Sequence, residues 1–282
     1  MVTKEDHHFY IDNASLREVA TALRVLSVDR PLRPAAIREI AKRDFNYTIQ
    51  KDATYAPRRL RDLGLASPDN TGGGGCVLTA VGLRLQSILQ YDQDLAYELF
   101  HYLHYTGFAG HPDARKLLWS YRRCCQLLWD AGHVISTRMV ASTILSEAAD
   151  QFADCLVGVG SQGGFKASAV GSVYSWLKQL KPSPLPASDQ PDAPIARRPL
   201  MTPTLAGLAL DDLYRDRDIQ YGDQVILDDR IVDALAQVFF ATPESVYAGL
   251  TETAKRSKNL RLVETLSGVA VELRQPFGLS DV

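Results

Sequence analysis

Nine basic side chains crowd a short stretch near the N-terminus: Arg30, Arg33, Arg38, Lys42, Arg43, Lys51, Arg58, Arg59 and Arg61, against only Glu39, Asp44 and Asp52. That segment sums to +6, so with a whole-chain net charge of −2 the remainder sums to −8. Guanidinium and ammonium groups gathered on one face neutralise phosphates and release their counterions, whatever the net charge of the molecule. A merely solvated basic surface would give the same count, so charge alone does not decide the matter.

Other constellations carry less chemistry. GVGSQG, from Gly158 to Gly163, matches the glycine spacing of a dinucleotide fingerprint. It lacks a proper preceding strand and a ribose-binding acid, and reads better as a turn between helices. His101 and His104, with His111, Cys124 and Cys125 further on, could in principle hold a metal, but neither a CxxC pair nor a carboxylate stands at a ligand spacing. Cys76, Cys124, Cys125 and Cys155 are therefore expected to be buried small apolar residues rather than a disulfide framework. Arg115, Lys116, Arg122 and Arg123 recur at seven-residue spacing beside Trp119, which suggests either a second basic track or an ordinary solvated helix face. Asp211 with Asp212, and Asp228 with Asp229, are expected at helix ends as caps or dipole partners. No GxSxG elbow or HExxH helix occurs, so neither an enzyme, a cofactor nor a metal site is expected.

The basic cluster needs elements to present it. Ser15 and Glu18 form a capping box ahead of an apolar stripe of Leu16, Val19, Ala20, Leu23 and Leu26. Pro34 opens a second helix with Ile37, Ile40 and Ala41 inward. A third is expected from Tyr55 to Leu63, with Thr54 as N-cap, Pro57 in the first turn and Gly64 as a left-handed stop. Leu65–Pro68 and Cys76–Leu78 then read as strands of a ribbon whose tip is Asp69, Asn70, Thr71 and Gly72 to Gly75. That tip lacks the GK[ST] ending of a phosphate-binding loop. Thr79 caps the next helix.

Over residues 15–89 this pattern resembles the winged helix-turn-helix superfamily. YAPRRLRDLGLASPDNTGGGGCVLTAVGLRL is similar to a recognition helix ending in L-x-x-L-G-L, a wing, and a V-x-L-T-x-x-G-x-x-L return. The resemblance implies that the third helix enters the major groove. Tyr55, Arg58, Arg59 and Asp62 would then face outward. Arg59 is the first choice for a forked contact to guanine and Arg58 the second. Thr54 and Tyr55 would flank them; Arg33, Arg38, Lys42, Arg43, Lys51 and Arg61 would contact phosphates; Asn70 and Thr71 on the wing would follow the minor groove. Replacing Arg58 and Arg59 together by Ala is expected to weaken duplex binding more than tenfold without harming the fold.

The rest of the chain is mainly helical. A winged domain over 1–91 is followed by a bundle over 92–181, with helices near 92–106, 113–131, 137–152 and 166–180. The proline-rich stretch 182–199 reads as a linker too poor in apolar residues to pack. A small α+β domain over 200–282 has the order helix, strand, helix, helix, hairpin, which is also that of a winged domain. This second copy is acidic, and so is expected to meet protein rather than DNA.

Composition excludes an integral membrane protein, since no apolar run approaches ~20 residues. The charged N-terminus lacks a signal-peptide core, which points to the cytoplasm. The expectation is a protein that binds double-stranded DNA, as a transcriptional regulator or a DNA-recognition subunit, with the bundle and C-terminal domain meeting a protein partner or a second copy. The rivals are a non-enzymatic scaffold whose winged domains bind proteins and, more weakly, an enzyme with its site between bundle and C-terminal domain.

Overall fold

The computed structural model describes residues 11, 14–49, 54–69, 75–108, 116–152, 165–188 and 190–281. Helix dominates. The N-terminal elements are α1 (Leu16–Val25), α2 (Pro34–Phe45), α3 (Tyr55–Asp62), β1 (Ala66–Pro68), β2 (Cys76–Leu78) and α4 (Ala80–Tyr91). The expected punctuation does its work. The Ser15 hydroxyl accepts from the Glu18 amide while the Glu18 carboxylate accepts from the Ser15 amide. Gly64, at φ +70°, ends α3 and lets the Leu65 amide donate back to the Leu60 carbonyl at 2.8 Å. Gly82, in the return motif, is needed because a Cβ there would lie 1.9 Å from the Leu65 carbonyl oxygen.

The body follows as α5 (Gln93–Thr106), α6 (Lys116–Ala131), α7 (Thr137–Gln151) and α8 (Ala167–Leu177), close to the four expected helices. From Ala96 to Thr106, α5 is buried around nearly its whole circumference, the mark of a central helix. It packs against α4 and α6, and its aromatic side chains reach the C-terminal helices.

The C-terminal elements are α9 (Pro203–Asp216), β3 (Gln224–Ile226), α10 (Asp229–Phe239), α11 (Pro243–Arg256), β4 (Leu260–Thr265) and β5 (Gly268–Leu273), with a 3₁₀ turn at Leu279–Asp281. The strands form an antiparallel sheet in the order β3-β5-β4. The N-terminal sheet repeats that order in miniature. Leu32, between α1 and α2, bridges Cys76 on the flank of β2 opposite β1, exchanging backbone hydrogen bonds of 3.1 and 3.0 Å. In each module the extended residues after the first helix lie beside the last hairpin strand.

Two expectations fail here. The proline-rich stretch 182–199 is packed rather than loose: Val134 donates to Ala193, Ile195 to Gly132, Ala196 to Pro184, and Arg198 to Phe240. The anchoring is both apolar and polar: Leu185 is buried in the core, and Ala193 and Ile195 pack against it. Arg198, 1% exposed, makes a two-pronged bond with the buried Glu98 of α5 and donates to the carbonyls of Phe239 and Lys181. Asp211 and Asp212, expected at a helix end, instead lie inside α9 and are buried. Asp228 does cap α10, accepting from the Ile231 amide at 2.8 Å.

Candidate nucleic-acid interface

The third helix shows how its sequence divides between core and surface. Ala56, Pro57 and Leu60 are buried as their apolar character requires, but so are Arg59 and Asp62. Arg59 is 1% exposed and Asp62 7%. Arg59 is therefore withdrawn as a base-reading residue, and Asp62 does not face outward.

The cause lies in a second layer. The N-terminal module covers one side of α3, and α5 and α8 also cover the flank that carries Arg59. Its Nη1 lies 3.3 Å from His104 Nε2 on α5 and 3.8 Å from Asp62 Oδ2. Its guanidinium stands 6.0 Å from the Trp176 ring centre on α8. The Trp176 indole N–H donates to the Ala14 carbonyl ahead of α1 at 2.7 Å, tying the same body helix to the N-terminal module. A charge is tolerated in such a place only because an opposite charge and hydrogen-bonding groups are fixed around it.

The histidines join this buried assembly. His101 Nε2 lies 2.7 Å from the Val238 carbonyl and so donates to it; its Nδ1 then accepts from the Tyr121 hydroxyl at 2.8 Å. Burial holds the pKa of His101 down to about 4, fixing it neutral. His104 stacks on Tyr121 with ring centres 3.7 Å apart, and burial, followed by the nearby Arg59 charge, lowers its pKa well below the usual value. Its Nε2 accepts from Arg59, which leaves the proton on Nδ1, where it has no hydrogen-bond partner. Both rings are parts of the core. Among the described residues no group of three or more His, Cys, Asp or Glu could hold a metal ion.

The remaining cations divide clearly. Arg58 is exposed on α3, with Thr54 exposed, and Tyr55 and Arg61 half-buried beside it. Thr54 occupies the N-cap position but its side chain makes no capping bond. Arg33, Arg38, Lys42 and Arg43 are all exposed on or just before α2. Arg38 and Lys42, four residues apart, share a face. Arg43 is partly neutralised by Asp44, with hydrogen bonds of 2.6 and 2.8 Å. Lys51, Asn70 and Thr71 lie outside the described residues, as do His111, Arg115, Cys155 and Gly158 to Gly163.

Among the described residues, the second basic track is not an open surface. Lys116 is buried, its ammonium 4.7 Å from the Phe152 ring centre; Arg122 pairs with Asp216 at 3.1 Å; Arg123 grips Glu147 with bonds of 2.6 and 2.8 Å. Trp119 is packed beneath them. Cys76, Cys124 and Cys125 are buried and free, as expected. Sequence reasoning missed the inward turn of Arg59. The only available signal was the pairing of Arg59 with Asp62 three residues on, a spacing that also occurs on solvated helices.

No family model matches this sequence, and no curated protein does. Two solved structures match by fold. A crystal structure of SspB superposes with a TM-score of 0.58 at 14% identity, covering 92% of this chain and 80% of SspB. A magnesium-ion-bound SspB gives 0.55 at 15% identity, covering 98% and 81%. The chain shares its fold with SspB. At such identity the likeness extends to the arrangement of elements along nearly the whole chain, and residue roles do not travel with it.

Proposed function

We propose that this protein binds double-stranded DNA through an N-terminal winged helix, as a cytoplasmic transcriptional regulator or as the DNA-recognition subunit of a larger complex. The reading assigns it no catalysis and no cofactor. The observation that carries it is the placement of Arg58 on the open side of α3 and of Arg33, Arg38 and Lys42 on the open side of α2. These cations sit in a module of three helices and a hairpin whose strand order supports a winged assignment. In this reading Arg58 takes the base-edge role, with Tyr55 and Thr54 beside it, and Arg33, Arg38, Lys42 and Arg61 hold phosphates. The C-terminal module, with the order β3-β5-β4, is a second winged helix that meets a protein partner.

The test is fluorescence anisotropy with duplex DNA, single-stranded DNA and RNA at two salt concentrations. Duplex binding that weakens with salt, falls about tenfold in Arg58→Ala, and loses about two units of salt slope in the Arg38→Ala, Lys42→Ala double variant supports the reading. Duplex affinity indifferent to all three substitutions overturns it. One observation favours the scaffold alternative: much of α3 is already occupied by the body, which leaves it a narrow exposed strip. No measurable binding to any nucleic acid would favour that reading instead.

A further inference from the structure

The body carries a groove of about 900 Å³ between the start of α7 and the second half of α8. Its polar lining is almost wholly of one kind. Arg138 and Lys178 bring two positive charges, Ser136, Thr137 and Ser175 bring hydroxyls, and among the described residues no carboxylate lines it. Asp192, next in sequence to the lining residue Pro191, lies instead 3.6 Å from His133 Nε2. Arg138 is exposed and makes no hydrogen bond or ion pair among the described residues. Lys178 is half-buried, its ammonium 3.1 Å from the Ala187 carbonyl.

One wall of the groove is bare. Gly171 stands inside α8, where glycine is a poor helix former, and a Cβ built there would meet nothing within 4 Å. That flank of α8 is exposed backbone on which a flat ring can lie, and Ile135 and Pro191 add apolar edges. The two walls are tied together. Tyr174 of α8 is buried, and its hydroxyl donates to the Ile135 carbonyl just ahead of α7 at 2.7 Å. The volume falls within the roughly 300–1,000 Å³ of sites for small organic molecules, well above what an inorganic ion alone would fill.

We propose that this groove binds a nucleoside monophosphate, its phosphate held by Arg138 and Lys178 and its base laid over the bare flank at Gly171. A phosphate monoester carries about −1.5 to −2 charges at pH 7, which matches the two cations of the lining. Its oxygens suit the fork of Arg138, and the hydroxyls of Thr137 and Ser175 are further donors. None of the lining belongs to the N-terminal module, so the proposal stands independently of DNA binding.

Isothermal titration of the full chain with adenosine monophosphate tests it, with adenosine and inorganic phosphate as controls. The expected result is saturable binding, about tenfold or more tighter than either control. Arg138→Gln should weaken it about tenfold, since the charge it removes has no structural partner among the described residues. Gly171→Leu should abolish it: the isobutyl group enters open space in the groove, and leucine favours the helix, so the fold is kept. Thermal melts of both variants establish that they are folded. Arg58→Ala should leave the affinity unchanged, which separates this groove from the basic face of α2 and α3. No binding of the monophosphate at millimolar concentration overturns the proposal. So does equal affinity for adenosine or for inorganic phosphate, an undiminished affinity in folded Gly171→Leu, or a loss in Arg58→Ala.

Discussion

Arg58 and Arg59 are adjacent in sequence and chemically identical, yet their removal should have opposite consequences. Arg59→Ala deletes a guanidinium that is 1% exposed and leaves Asp62, itself 7% exposed, facing a void where its cation stood. It also removes the donor to His104 Nε2. Breaking one side of a buried ion pair costs about 3–5 kcal/mol, because the charge left behind stays desolvated and loses a counter-charge. For a chain of this size ~1 kcal/mol corresponds to ~2 °C, so the melting temperature should drop by about 6 °C or more. Arg58→Ala removes a solvent-facing side chain and should stay within about 0.5 kcal/mol of the parent. Circular dichroism melts and urea titrations of the two single variants measure this contrast. If Arg59→Ala melts within a degree of the parent, or if Arg58→Ala is the more damaging, the account of a charge held in the core is wrong. The earlier expectation that both arginines could be removed without harm to the fold is replaced by this one.

Other consequences can be measured separately. Gly82→Ala should destabilise the protein by about 1–3 kcal/mol in chemical unfolding, since its methyl group would collide with the Leu65 carbonyl rather than with a side chain able to move. Asp212→Asn should stabilise the protein at pH 7 by up to about 3 kcal/mol, because its raised pKa means that ionisation is harder folded than unfolded. The sign follows from proton counting: between about pH 4 and 6 the native state holds more protons at this site than the unfolded state, so its contribution falls as pH rises through that window. Arg122 and Arg215 temper the effect and Asp211 and Asp216 add to it, and the pH dependence of stability should flatten in the Asn variant.

Much of the fold was legible because local rules and tertiary packing agree. The Ser15 box, Pro34, Gly64 and Thr79 all sit where capping chemistry places them. The four body helices lie within a few residues of their expected spans. What escaped was set by contacts distant in sequence. Leu32 forms a strand of one residue, too short for any periodicity. The segment around Arg198 looked unpackable because its anchor is a carboxylate a hundred positions earlier. Arg59 and Asp62 looked like surface residues because a helix's polar side ordinarily meets water; only the position of α5 and α8 reverses that. The candidate interface was therefore half legible: the exposed cations of α2 followed from their own helix, whereas the division between Arg58 and Arg59 depended on neighbours 45 and more residues away.

The Arg59 pocket bears on how this molecule can be taken apart. His104 and Trp176 complete the surroundings of that guanidinium, and both lie beyond residue 91. A fragment cut there would keep every helix and strand of the N-terminal module yet flood its most guarded cation with water and strip the indole from the Ala14 carbonyl. Such an excised piece would be a different object from the module in place, freer to tilt α3 and to offer Arg59 outward. Affinities measured on it would overstate what the intact chain can grip.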